Sequence, residues 1–184
     1  ALNIAQRMSG IATMTHQFVD AVSNYAVQIL DTRKTIPGFR QLDKYAVKAG
    51  GGTNHRMGLY DMAMIKDNHI IAAGSIAKAV SDVRNANPDI TIEVETTGIE
   101  EVQQALSAEA DIIMLDNMGI EEMKQAVEII GTKAESEASG NVTLETVKDV
   151  AATGVDYISV GALTHSVKAF DISQSLTYFN NHSK

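Results

Sequence analysis

Arg33, Lys34, Arg56 and Lys66 are the residues in this sequence whose types and setting first suggest chemistry. They belong to a basic stretch from Arg33 to His69, where seven Lys/Arg face three acids. That local +4, in a chain of net charge −8, leaves −12 for the rest. Cations gathered on an anionic chain imply a small, highly charged anion, and the shortage of basic charge elsewhere argues against a nucleic-acid track. A guanidinium grips a carboxylate through two parallel hydrogen bonds, so Arg33 and Arg56 together suit a ligand with more than one carboxylate. His55, next to Arg56, has two readings of equal weight: it donates to such a carboxylate or orients the arginine, or it is a solvent-exposed loop histidine. Gly50, Gly51 and Gly52 come directly before this segment, and their backbone freedom would bring N–H groups close to an anion.

Carboxylates and small residues form a second set. Glu95 and Asp116 end the segments Ile-Thr-Ile-Glu-Val-Glu and Ile-Ile-Met-Leu-Asp. Glu93 shares a strand face with Glu95, and Glu95 is preferred for its terminal place. Two carboxylates at one sheet edge suit Mg²⁺ with retained waters and a phosphorylated ligand. The plainer alternative is a helix cap or an ion pair with Lys66. The chain has no Cys, which excludes disulfides, thiolate metal sites and a cysteine nucleophile, and makes zinc a poor match. Ser139-Gly140-Asn141 and the segment Gly161 to His165 offer N–H groups of the kind that hold phosphate, although the first alone would more often be an N-cap turn.

These residues need elements to position them. A chain of 184 residues with 45% apolar and 21% charged content fits a single globular domain. Helical spacing of apolar residues runs from Ala1 to about Asn24. Short apolar runs then recur every 20–25 residues or so, at Tyr25–Leu30, Met62–Ile65, Ile90–Val94, Ile112–Leu115, more weakly Thr132–Ala138, and Tyr157–Val160. Helical patterns at Ser75–Asn85, Ile99–Ala108, Ile120–Ile130 and Leu144–Ala152 separate the later runs. Such alternation predicts an α/β fold with a parallel sheet. Parallel strands end at one edge, so the chemistry-bearing residues after each run converge there. With at least six units and no GxGxxG fingerprint, an incomplete (β/α) TIM-like barrel is preferred over an open doubly wound sheet. The expected division is an N-terminal helix over 1–25, the barrel over 26–170 and a C-terminal tail over 171–184. No apolar run is long enough for a transmembrane helix and no signal peptide is visible, and a cytoplasmic place fits.

Thr32–Arg40, Lys44–Arg56 and Ile65–Ile70 closely resemble the quinolinate phosphoribosyltransferase family, the carboxylating nicotinate-nucleotide pyrophosphorylases. Leu2–Thr13, Ile92–Thr96, Ile113–Asn117, Glu135–Asn141 and Ser159–Ser166 fit as well. The resemblance implies transfer from phosphoribosyl pyrophosphate to quinolinate with loss of CO₂, dependence on Mg²⁺, a role in NAD biosynthesis, and a homodimer or higher homo-oligomer acting on small molecules, with neither nucleic acid nor membrane as partner. It implies that Thr32, Arg33, His55, Arg56 and Lys66 face quinolinate. Lys34, Asp67, Asn68, Glu95, Asp116, Ser139, Gly140, Asn141, Gly161 and His165 would serve the phosphoribosyl donor, with Lys34, Lys66, Glu95 and Asp116 as the catalytic set and Glu95 and Asp116 nearest the metal. Family members carry an α/β sandwich domain before the point matching Ala1, which covers the partner's barrel mouth and brings a further arginine. These 184 residues do not include it, and on that ground this chain alone is expected to be inactive or weakly active. Thr96–Thr97 departs from the family's more usual Val followed by an acid or amide. Two rivals are a related pyrophosphorylase-like protein of molybdenum-transport operons, and a non-catalytic barrel that binds phosphoribosyl or carboxylate ligands.

Overall fold

The computed structural model describes residues 1–177; the last seven positions of the expected tail lie outside the described residues. Six strands, β1 (Gln28–Leu30), β2 (Ala63–Ile65), β3 (Ile92–Thr96), β4 (Ile112–Asp116), β5 (Glu135–Ser139) and β6 (Tyr157–Ser159), alternate with helices. These are α1 (Leu2–Ala21), α2 (Arg40–Ala49), α3 (Asp67–Ala73), α4 (Ile76–Ala86), α5 (Ile99–Ser107), α6 (Ile120–Ile130), α7 (Val147–Ala151) and α8 (Ala162–His165). The apolar runs and later helical patterns each hold an element of the expected type. α2, α3 and α8 are additional; α2 lies within the basic stretch, whose charges obscure its apolar spacing, and α3 and α8, of seven and four residues, are too short to show a helical period. α7 begins at Val147 rather than near Leu144.

All the strand pairings are parallel, in the order β1-β6-β5-β4-β3-β2. First and last strands therefore pair, as in a closed barrel. On the other edge of β1, Thr53 forms a parallel bridge with Leu30; its N–H donates to the Ile29 carbonyl at 2.8 Å. Among the described residues, no ladder joins this bridge to β2, so the barrel is open at that seam. This is the expected incomplete TIM-like barrel. Along the strands, Ile65, Val94, Ile113, Leu115, Ala138 and Ile158 pack into the core beneath the helices. The alternate residues point inward.

α1 is built into this body. Arg7 makes a bidentate pair with buried Asp43 of α2 (2.8 and 2.7 Å) and donates to the Thr164 carbonyl of α8 at 2.9 Å. Gly10 fits because a Cβ there would lie 2.2 Å from the Lys168 carbonyl oxygen. Gln6 donates to the Ile172 carbonyl at 3.0 Å, so the start of the supposed tail is held against α1. The glycine triplet has the same structural purpose, which corrects its reading as an anion loop. A Cβ at Gly50 would sit 2.3 Å from the Ala12 carbonyl oxygen, and one at Gly52 would sit 2.7 Å from Thr15. The triplet packs against α1 and does not line the cavity described next.

Candidate active site

The inward residues at the C-terminal strand ends surround an open cavity of about 900 Å³. Met64 and Lys66 come from β2 and its end, Glu95 from β3, Met114 and Asp116 from β4, Glu137 and Ser139 from β5, Ser159 and Gly161 from β6 and its end. The strand register aligns Glu95 with Met114, Met114 with Glu137, and Asp116 with Ser139. Thr32, Arg33, Lys34, His55, Arg56, Gly140, Asn141 and His165 complete the wall. Every residue that the resemblance assigns to quinolinate or the phosphoribosyl donor is therefore gathered here except Asp67 and Asn68. Those two open α3 and do not line the cavity; the Asp67 carboxylate accepts the Asn68 N–H at 2.7 Å.

The basic stretch divides sharply. Arg33, Lys34, Arg56 and Lys66 line the cavity, whereas Lys44 is fully buried against Asp31. Arg40 holds Thr35 and the Met57 carbonyl at 3.3 and 3.2 Å, and Lys48 is exposed on α2. Among the described residues, neither Arg33 nor Arg56 has a carboxylate in ion-pair contact. The Arg33 Nε is buried without a partner. Among the described residues, the Arg56 guanidinium reaches only the Met62 carbonyl and the Met64 sulfur, each at 3.3 Å. Burial and then repulsion from Arg33 lower the Arg56 pKa from its usual range. Two guanidiniums that repel each other across a cavity are stabilised by an anion able to engage both. Lys66 contacts Glu95, the ion pair that was the plainer reading for this acid.

His55 is not a solvent-exposed loop histidine: it lines the cavity with its ring set against the protein's own carboxylates. Its Nε2 lies 3.2 Å from Glu93 and 3.2 Å from Glu137. Both acids are wholly buried, and the four carboxylate oxygens have no well-aligned hydrogen bond. Burial opposes charge on the imidazole, but hydrogen bonding and charge from Glu137 and Glu93 outweigh it and push His55 up to about 9. On the far side of the ring, the Arg56 N–H donates to Nδ1 at 2.7 Å. An imidazolium would carry a hydrogen on Nδ1 and collide with that donor. The Nδ1 contact and the raised pKa of the ring thus oppose each other, while the Nε2 hydrogen faces Glu93 and Glu137 in either state. The pKa of Glu93 is itself raised, by burial first and by repulsion from Glu137. Glu93 was passed over in the sequence in favour of Glu95, and Glu137 was hidden in the weakest apolar run. Their only signal was an acid in the middle of a strand.

The opposite wall carries the acids and small residues. Asp116 accepts from Asn117 Nδ2 at 3.0 Å, and Asn117 Oδ1 accepts from Asn141 Nδ2 at 3.1 Å. Asn117 also lines the cavity, joining the ends of β4 and β5; the sequence marks it as a strand-end residue but assigns it no ligand. Asn117, Gly140 and Asn141 have φ of 54°, 102° and 50°, so this wall is a pair of left-handed turns held together by side chains. Ser139 ends β5 and is not a helix cap, since α7 starts only at Val147. Gly161 leaves room for the His165 ring, which a Cβ would meet at 3.0 Å. As to metals, Glu95 and Asp116 offer only oxygen ligands, a donor set that suits Mg²⁺. His55, Glu93 and Glu137 have ligand atoms within 4.8 Å of one another. A metal on Nε2, however, requires the other ring nitrogen to be a donor, and Nδ1 is an acceptor here.

Comparison with known proteins agrees with this geometry. The family of the quinolinate phosphoribosyl transferase C-terminal domain matches residues 11–175. A probable carboxylating nicotinate-nucleotide pyrophosphorylase of Bacillus subtilis (strain 168) is 49% identical over 180 residues, covering 97% of this chain and 62% of that protein. A chloroplastic carboxylating nicotinate-nucleotide pyrophosphorylase of Arabidopsis thaliana is 53% identical over 191 residues, covering 94% and 54%. The crystal structure of NadC from Streptococcus pyogenes superposes with a TM-score of 0.93 at 44% identity, covering 97% of this chain and 64% of that one. The chain thus spans somewhat over half the length of the curated relatives it matches.

Proposed function

This chain belongs to the quinolinate phosphoribosyltransferase family, matching its C-terminal domain, and from that premise we propose that it forms the catalytic barrel of an enzyme that joins quinolinate to phosphoribosyl pyrophosphate, releasing pyrophosphate and CO₂ and leaving nicotinate mononucleotide. The observation that carries the reading is the Arg33–Arg56 pair, two guanidiniums in one cavity without a carboxylate in contact. A pyridine dicarboxylate supplies the missing charges. Held by both, its ring nitrogen is turned towards the donor's ribose. Lys34 and Lys66, on the same wall, neutralise charge on the departing pyrophosphate. Glu95 and Asp116 lie at the ends of adjacent strands, where their negative charge stabilises the oxocarbenium-like ribose carbon. They would also hold Mg²⁺, which when bound would offset the charge of pyrophosphate. Gly140, Asn141, Gly161 and His165 seat the 5′-phosphate. Ribosylation makes the ring nitrogen cationic, and this cation accepts the electrons left when the neighbouring carboxylate departs. The protein's work is positioning and neutralisation, so no covalent nucleophile is needed.

No helix among the described residues is long and apolar enough to cross a membrane. The relatives differ in compartment by name, one being chloroplastic and one mitochondrial; a cytoplasmic place and a homodimeric assembly belong to the proposal. The decisive experiment supplies full-length protein with carboxyl-labelled quinolinate and phosphoribosyl pyrophosphate. Donor-dependent release of labelled CO₂ is expected, and its absence would overturn the reading.

A further inference from the structure

A phosphoribosyl donor has to be gripped at both ends. Its 5′-phosphate and its pyrophosphate lie on either side of the ribose, so the groups that hold them must keep a fixed spacing if the ribose carbon is to face the attacking nitrogen. On the donor wall those groups belong to different strands: Asp116 ends β4, whereas Gly140 and Asn141 follow β5. One side chain spans the gap. Asn117 Nδ2 donates to Asp116 at 3.0 Å, and Asn117 Oδ1 accepts from Asn141 Nδ2 at 3.1 Å. Among the described residues, neither the Asp116 carboxylate nor the Asn141 side chain has another hydrogen bond.

We propose that Asn117 is a positioning residue that ties the metal-side carboxylate of Asp116 to the 5′-phosphate seat, so that both ends of the donor are held by one unit. This rests on the functional reading above. The bridge is fixed at its base. The Asn117 backbone N–H donates to the Ser139 carbonyl at 2.8 Å, next to the pairing of Asp116 with Ser139. The side-chain amide then lies over Gly140, where a Cβ would come within 2.2 Å of Asn117 Oδ1. Gly140 is thus required to be glycine twice over, by its φ of 102° and by the amide packed on it. Asn adopts a φ of 54° more readily than most residues, so the plainer alternative is that Asn117 serves only its own turn. The turn alone does not explain an amide that spends its donor on one strand end and its acceptor on the next. Without that amide, Asp116 and Asn141 would each lose the hydrogen bond that holds its side chain, and the two ends of the donor would be gripped independently.

Asn117→Gly separates the two roles, because glycine adopts the left-handed turn without strain and carries no amide. Full-length protein is titrated calorimetrically with phosphoribosyl pyrophosphate, with and without Mg²⁺. Mg²⁺ should tighten the donor on wild type. In Asn117→Gly that gain should shrink by roughly tenfold, as for the loss of one hydrogen bond to a charged group. Quinolinate binding, which needs a folded barrel, should stay within about threefold of wild type. Asn141→Gly also suits its backbone, at φ 50°. It should shrink the same gain although Asn141 makes no hydrogen bond to Asp116, and the double variant should lose no more than the worse single one, because both break one bridge. An undiminished gain in Asn117→Gly would overturn the proposal and leave Asn117 a turn residue, and losses that simply add in the double variant would overturn the bridge. Should Asn117→Gly lose quinolinate as well, Asn141→Gly decides alone, and an unchanged gain there overturns the proposal. Wild-type protein that releases no CO₂, or whose donor affinity ignores Mg²⁺, would instead refute the functional reading.

Discussion

Lys44 and Asp31 meet in the interior with neither side chain exposed, and the same carboxylate accepts the His55 N–H at 2.9 Å. Burial pushes the Asp31 carboxyl up and the Lys44 ammonium down, and the attraction between them opposes both shifts. Asn54 donates to Asp31 and to the Lys44 carbonyl at 2.6 and 2.8 Å, and Lys44 donates to the His55 carbonyl at 3.0 Å. The pair thereby fixes where His55 and Arg56 enter the cavity. Asp31→Ala would strand a buried ammonium and free the His55 backbone. A loss of about 3–5 kcal/mol is expected, measured by urea denaturation; a change within about 0.5 kcal/mol, as for an ordinary surface site, would show that the pair is not structural.

Lys44 also shows what the sequence could and could not reveal. Its charge placed it with Arg33 and Arg56, because composition counts charges without saying which face inward. The parallel sheet and its common edge were readable, since strand-like runs alternate with helical patterns, and with them came Glu95, Asp116, Ser139 and Gly161 as strand-end residues. Glu93 and Glu137 were not readable, because an acid buried within a strand is held by partners distant in sequence, here His55. The Gly50–Gly52 triplet misled for a related reason: the glycines are required by the closeness of α1, which no local pattern records.

Arg56 is expected to act on the dicarboxylate rather than the donor. Arg56→Ala removes a two-point carboxylate contact, and a charge-assisted hydrogen bond contributes about 1.5–3 kcal/mol. The KM for quinolinate should rise by roughly ten- to a hundredfold while that for phosphoribosyl pyrophosphate moves by less than about threefold, in steady-state assays varying each substrate. Equal losses for both would place Arg56 elsewhere.

Asp116 lies on the wall assigned to the donor and its metal, where Asn117 holds it at 3.0 Å. Asp116→Asn keeps the shape and removes one negative charge. Turnover should fall, and the Mg²⁺ concentration for half-maximal rate should rise, because fewer anionic oxygens remain to attract the ion. A Mg²⁺ titration of the variant that overlays wild type would remove Asp116 from the metal site.

The His55 cluster gives stability a pH dependence of defined sign. In the unfolded chain the imidazole titrates at its usual 6.5, whereas in the folded protein Glu137 and Glu93 push His55 up to about 9. Between those values the native state binds more protons than the unfolded state, so stability falls as pH rises. The contribution is fully present below about pH 6.5 and is lost as pH passes through about 9. At 1.36 kcal/mol per unit, its size is on the order of 3 kcal/mol. Glu137 and Glu93 are what raise the imidazole, so the double variant Glu93→Gln/Glu137→Gln should flatten the curve over this window, whatever it does to stability at a single pH. Urea unfolding at intervals from pH 6 to pH 9.5 tests this. A wild-type curve that is level across the window, or a slope that survives in the double variant, would mean that the cluster does not hold the extra proton.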